Sequence, residues 1–227
     1  MHAAVRSAPL RRATVPSSLG PVVVHYRDAG PGQAPGQATD VYLHGAAGSW
    51  TTFAPLLEQD PAGGRAVVLI DLPGWGETTA APGWDRVDIS TMADAVTEVL
   101  LGMGHQLWGL VGHSMGGFLA LHLAATRPQH TMSVAVLSGT TFAAARAARH
   151  PVRGMLEFPA FTGMFLVMRS LAAMGRTGRW LVAAVGRTRG LDLLMAPFFA
   201  DPSSVPQTVI RNLAADARPS SFSAAAR

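Results

Sequence analysis

Residues 107–128 read LWGLVGHSMGGFLALHLAATRP. An apolar run, Leu107 to Val111, leads into Gly112-His113-Ser114-Met115-Gly116-Gly117. A helical pattern of Phe118, Leu119, Leu121 and Leu123 then runs to Arg127, where Pro128 forbids continuation. The order is therefore buried strand, tight turn, helix. A serine at the apex of such a turn projects from a crowded backbone, so the flanking positions Gly112 and Gly116 must lack side chains. Gly117 adds room for close helix packing. The helix start behind Ser114 aims free amides and the positive end of a dipole at any oxyanion formed there. A bare Gly-x-Ser-x-Gly match also occurs by chance in Gly- and Ser-rich loops; its position between a strand and a helix makes Ser114 the candidate nucleophile.

The same stretch raises a membrane reading, because Gln106 to Thr126 carries no formal charge and is about as long as a span requires. Gly109, Gly112, His113, Ser114, Gly116, Gly117 and His122 lie inside it, and that density of glycine and polar groups suits a strand, turn and helix better than lipid.

Upstream, short apolar runs alternate with helical patterns, the signature of a parallel sheet covered by helices on both faces. The strands are expected at Val22–Tyr26, Val41–His44, Ala66–Asp71, Leu107–Val111 and Ser133–Leu137. A helix opens at Asp88, whose carboxylate can cap the first free amides, and Gly102 and Gly104 end it. Its apolar face is Ile89, Met92, Ala93, Val96, Val99 and Leu100. The linker Pro31–Gln37 reads as a hairpin or loop. Arg6, Arg11 and Arg12 without an acid hint at a transit peptide, but Pro9 and Pro16 would break its helix, so an ordinary first strand is expected there.

Two further motifs follow predicted strands: HGAAGS at 44–49 and DLPGWGET at 71–78. The small residues of the first let backbone N–H groups approach a substrate carbonyl closely. Asp71, opening the second, is expected to fix the turn before Pro73. The three motifs, in this order and separation, closely resemble the α/β-hydrolase superfamily, particularly its soluble, capped esterase, peptidase and C–C-bond hydrolase branches, over about residues 20–140. The resemblance implies a mostly parallel sheet with helices on both faces. It also implies an oxyanion hole built from the backbone amides of Ala46 and Met115, and Ser114 attacking an ester, amide or related acyl carbon. Gly45, Gly112, His113, Gly116 and Gly117 support the elbow and loop. His44 is expected to order the oxyanion loop by hydrogen bonding rather than take a proton, and His113 to point away from Ser114.

After Leu137 the pattern turns helical, so residues 1–140 are read as the hydrolase core and 141–227 as a helical cap. GRTGR at 175–179 and GRTRG at 186–190 are too short for a solenoid repeat. They read either as solvated turns between cap helices or as an Arg rim attracting acidic substrates.

Family members complete a triad with an acid after the seventh strand and a histidine after the eighth. No His occurs here beyond His150. Asp192, Asp201 and Asp216 do not follow an apolar strand run, and Ser138-Gly139-Thr140-Thr141 offers no carboxylate. His105, His122, His130 and His150 read as surface or core histidines. The acid and base stay unassigned. The expectation is a fragment of a longer reading frame, with a truncated product or a fold that covers its last strand by homodimerising as the alternatives.

Composition closes off other classes. All 18 basic residues are Arg and are scattered, so a net charge of +4 argues only weakly for nucleic acid, and no nucleic-acid motif accompanies it. With no Cys there is no thiolate nucleophile and no disulfide framework, and the cytoplasm is the default compartment. Neither His pairs at metal spacing nor a phosphate loop is present, so no metal or cofactor is expected. The expected partner is a small acyl substrate. Perhydrolase, acyltransfer or C–C cleavage chemistry on the same serine, and a non-catalytic hydrolase-like binding protein, remain alternatives.

Overall fold

A computed structural model describes residues 8–18, 20–29, 36–46, 48–59, 65–78, 87–139, 146–147 and 150–185, with isolated positions between 201 and 216. The chain divides into two compact units, Met1–Gly139 and Thr140–Arg227.

The first unit is built on a six-stranded sheet of order β1-β2-β4-β3-β5-β6. The strands are β1 (Leu10–Val15), β2 (Val22–Ala29), β3 (Thr39–Leu43), β4 (Val67–Asp71), β5 (Trp108–His113) and β6 (Thr131–Leu137). β1 and β2 form an antiparallel pair and β2 joins β4 antiparallel, whereas β4, β3, β5 and β6 run parallel. The central strands carry uninterrupted apolar runs because both their faces are covered. Val41, Leu43, Val68, Leu69, Ile70 and Leu110 are all at most 1% exposed.

A 3₁₀ turn (Trp50–Phe53) and the short helix α1 (Ala54–Gln59) follow β3; neither is announced by a long apolar period. Phe53 and Leu57 bury themselves there with Tyr42, Leu69 and Ala29. Helix α2 (Ile89–Gly102) starts as its sequence dictates, with the Thr91 N–H donating to Asp88 Oδ1 at 2.8 Å. It ends before Gly104, which takes φ +85°. Helix α3 (Met115–Thr126) stops one residue before Arg127, ahead of Pro128. Residues 31–35 of the expected linker lie outside the described residues.

β5 runs two residues further than its apolar stretch and takes in Gly112 and His113, so Ser114 stands directly at the strand's end. β6 contrasts with the strands at the centre. Among the described residues it ends the sheet, paired only with β5, and most of its residues are exposed, Met132 at 63%.

The second unit holds helices α4 (Pro151–Glu157), α5 (Pro159–Ala173) and α6 (Arg176–Val185). Gly154 lets α4 and the chain before it approach α5 closely, since a methyl group there would stand 2.6 Å from the Ala147 carbonyl oxygen and 2.7 Å from Thr162 Oγ1. The reading of residues 175–179 as a turn holds only for Gly175, at φ +55°. Arg176 to Arg179 form the first turn of α6, where Gly178 is buried against the backbone of Leu171. Residues 186–190 lie outside the described residues.

Candidate active site

The three motif loops leave the C-terminal ends of the adjacent parallel strands β4, β3 and β5, the edge at which open α/β sheets place their sites. Ser114 is the residue between β5 and α3. It holds φ 53° and ψ −116°, and only it and Ser138 among the described non-glycine residues have positive φ. That conformation is costly for a residue with a Cβ and persists only where the surroundings impose it.

Those surroundings can be named. The Ser114 N–H donates to the Leu137 carbonyl at 2.9 Å, and the Ser114 carbonyl accepts from the Gly117 N–H at 3.0 Å. A methyl group on Gly112 would meet the Gly116 carbonyl oxygen at 2.3 Å and Gly117 Cα at 2.6 Å. One on Gly116 would fall 2.0 Å from the Leu43 carbonyl oxygen and 2.5 Å from that of His44. One on Gly117 would press Val136 Cγ1 at 2.8 Å. Each glycine is thus a place where backbone passes backbone or the β6 side chain, with no room for a Cβ.

The HGAAGS loop rests on this elbow. Gly45 lies so close that its missing Cβ would be 2.9 Å from Ser114 Cβ and 3.0 Å from His113 Nδ1. Ala46 is exposed, Met115 is half-buried, and Ala47 lies outside the described residues. His44 is fully buried, and its two ring nitrogens have defined roles. Nε2 accepts the Leu72 N–H at 2.9 Å, so the ring proton sits on Nδ1, which donates to the Gly45 carbonyl at 2.7 Å. The imidazole therefore ties the β3 loop to the β4 loop. His113 presents Nδ1 to Gly45; that atom is buried without a hydrogen-bond partner, and burial lowers the group's pKa, which keeps the ring neutral.

Asp71 does more than fix its own turn. At 1% exposure it accepts the Trp50 N–H on Oδ1 at 2.8 Å and the Glu77 N–H on Oδ2 at 2.9 Å. Its carbonyl accepts from Thr78 Oγ1 at 2.6 Å, and that hydroxyl accepts the His25 N–H at 2.7 Å. Gly76, at φ +54°, leaves the space its carboxylate fills. Burial raises the Asp71 pKa, opposed by the two backbone donors. Trp50, held by this carboxylate, also lies under the Arg27 guanidinium at 4.2 Å. The link from Asp71 to Trp50 could not be read from spacing, because it joins loops that only the sheet order brings together.

Two of the other described histidines are engaged elsewhere. His105 is buried against Thr39 Oγ1 at 2.9 Å, and His130 pairs with the Gln106 carbonyl while stacking on Trp108. His122 is half-buried on α3, and His150 is exposed ahead of α4. Asp192 lies outside the described residues; Asp201 and Asp216 belong to the second unit. Among the described residues no group of three or more His, Asp or Glu is arranged to hold a metal, and no helix is long and apolar enough to cross a membrane.

A strained serine on a strand-to-helix turn, at the C-terminal edge of a sheet with this strand order, defines the class: the chain belongs to the alpha/beta hydrolase fold family, whose model matches residues 41–161. Among its relatives is a 2-hydroxy-6-oxononadienedioate/2-hydroxy-6-oxononatrienedioate hydrolase of Paraburkholderia phymatum, 30% identical over 139 residues, covering 58% of this chain and 45% of the relative. Another is the dihydrolipoyllysine-residue acetyltransferase component of the acetoin cleaving system of Cupriavidus necator, 35% identical over 47% of this chain and 28% of the relative. The chain thus spans less than half the length of these curated relatives. A thermophilic esterase from Thermogutta terrifontis superposes with a TM-score of 0.63 at 20% identity, over 95% of this chain and 71% of the esterase, and shares the fold.

Proposed function

We propose that Ser114 is the nucleophile of an acyl hydrolase acting on a small, largely apolar ester or amide. The observation that carries this reading is the backbone of Ser114 itself, a non-glycine residue at φ 53° held by glycines on both sides. Strain of this kind has no packing purpose for a serine; it exposes a hydroxyl above a helix N-terminus. The Met115 N–H belongs to the first turn of α3, where no intrahelical acceptor exists, and the Ala46 N–H follows the Gly45 peptide seated on the elbow. On this reading the two amides receive the oxyanion that forms when Ser114 Oγ adds to the carbonyl carbon, and the α3 dipole adds to their effect. His44, Gly45, Gly112, His113, Gly116 and Gly117 hold that geometry, and the helical segment after residue 140 serves as the cap.

Among the described residues no proton acceptor for Ser114 is identified. His44 spends both ring nitrogens on backbone groups, and His113 directs Nδ1 at Gly45. Loss of the base in such a triad costs on the order of 10⁶-fold. The isolated chain is therefore expected to turn over activated esters feebly, with free imidazole in the buffer raising the rate. The test is labelling with a fluorophosphonate followed by peptide mapping. Modification of Ser114, with both labelling and imidazole-dependent turnover lost in Ser114→Ala, supports the proposal. A folded chain that neither labels nor responds reduces the assignment to the fold alone.

The dienedioate hydrolases among the relatives favour a second reading, cleavage of a carbon–carbon bond beside a carbonyl with the same serine. Both chemistries need Ser114, so a panel of esters, amides and vinylogous diketo acids separates them.

A further inference from the structure

Among the described residues a positive φ falls on glycine everywhere from Gly20 to Gly175, except at Ser114, 53°, and Ser138, 47°. A Cβ is unfavourable there and a glycine is not, so a side chain kept in such a place points to a use for it. The two serines are neighbours. β5 and β6 run parallel with His113 opposite Leu137, and the ladder continues one step as the Ser114 N–H donates to the Leu137 carbonyl at 2.9 Å. Ser138 therefore stands abreast of Ser114, one strand spacing or roughly 5 Å away. Crowding does not call for its hydroxyl, because the side chain is exposed. What crowding selects is seen at the next residue, Gly139, whose missing Cβ would lie 2.3 Å from Val136 Cγ1.

We propose that Ser138 is a specificity-determining residue of the Ser114 site, its hydroxyl donating a hydrogen bond to the oxygen or nitrogen attached to the reacting carbon of an ester or amide. Ser138 has this role only if Ser114 is the nucleophile. β5 lies between β3 and β6. With the carbonyl oxygen turned to the β3 side, toward the Ala46 and Met115 amides, the carbon bound to Ser114 Oγ directs another of its substituents over the end of β6. An ester or amide places its leaving oxygen or nitrogen there, an acceptor for the Ser138 hydroxyl. A ketone cleaved at a carbon–carbon bond places carbon there, which accepts nothing. Ser138 thus favours the ester or amide over carbon–carbon cleavage, and the unfavourable φ at residue 138 is the cost of keeping a hydroxyl where glycine would fold more readily.

The experiment uses the full 227-residue chain with Ser138→Ala and Ser138→Gly. Two probes are compared by intact mass: an ethoxy alkylphosphonofluoridate, with an oxygen on the reacting phosphorus, and a dialkylphosphinyl fluoride, with carbon in that place. In both, Ser114 Oγ displaces fluoride. Each variant is expected to lower the ratio of the two labelling rates, ethoxy over dialkyl, by about five- to tenfold, the worth of one neutral hydrogen bond. Urea denaturation is expected to give a higher midpoint for Ser138→Gly, which relieves the backbone, and none of that gain for Ser138→Ala. An unchanged ratio in Ser138→Ala overturns the proposal, as does a fall confined to Ser138→Gly, which would assign the effect to the backbone. A lower urea midpoint in Ser138→Gly also overturns it, since the hydroxyl would then serve the fold. A parent that neither probe labels at Ser114 removes the nucleophile and Ser138 together, whereas labelling at Ser114 with an unaltered ratio removes Ser138 alone.

Discussion

Ser114 lies between two unlike sides of its sheet. Toward β3 and β4 the described loop residues are fastened. His44 joins the Gly45 carbonyl to the Leu72 N–H, and Asp71 joins Trp50, Glu77 and Thr78. Toward β6 the strand is exposed and apolar, and Leu137 contributes chiefly its carbonyl to the elbow. On the proposed reading, the fastened side holds the donors that would meet a developing oxyanion, the part that must be rigid before reaction. His44, on that side, spends both ring nitrogens on backbone groups.

The largest effect should come from breaking the elbow where backbone crosses backbone. Gly116→Ala places a methyl carbon 2.0 Å from the Leu43 carbonyl oxygen, and no rotamer relieves that. A loss of about 3–5 kcal/mol is expected by urea denaturation, enough to leave much of the chain unfolded. A fully folded Gly116→Ala chain would mean that α3 is free to slide on β3.

Asp71→Ala is next. It removes the acceptor of two backbone N–H groups in loops with little water access, at roughly 1–3 kcal/mol for each group left unpaired. About 2–4 kcal/mol is expected from the same measurement. Because Trp50 and Glu77 lose a common anchor, hydrogen exchange should rise in both loops while the amides of α2 hold their protection. Equal loss of protection everywhere would reduce Asp71 to a general stability residue.

These two positions differ in how visible they are in sequence. Gly112, Gly116 and Gly117 are legible because a steric demand local to the turn leaves glycine as the answer, and the central strands because two-sided burial turns them into apolar runs. Asp88 is legible as a cap for the same local reason. The tie from Asp71 to Trp50 spans 21 residues and exists only because β4 lies beside β3, so composition carries no trace of it. Helix α1 is too short to show a period, and the start of α6 hides in a Gly-Arg-rich stretch that reads as a turn. The candidate nucleophile was legible; the acid and base that would serve it were not, since those roles depend on proximity.

A smaller effect concerns pH. His105 and His113 are both held neutral by burial, with pKa values lowered from 6.5. The unfolded chain takes up protons as pH falls below 6.5 and the folded chain resists until lower pH, so the stability they contribute is present above 6.5 and is lost on acidification. The urea midpoint should fall between about pH 7.5 and about pH 5, and His105→Gln should flatten part of that slope. A midpoint that rises on acidification would contradict the burial of both rings.

The smallest effect tests the open side. Met132 stands in the β6 bulge at 63% exposure and outside the regular Ser133–Leu137 ladder, so Met132→Ser removes almost no buried apolar area. A change within about 0.5 kcal/mol is expected in the urea midpoint. A loss of more than about 1 kcal/mol would mean that Met132 packs within its own chain.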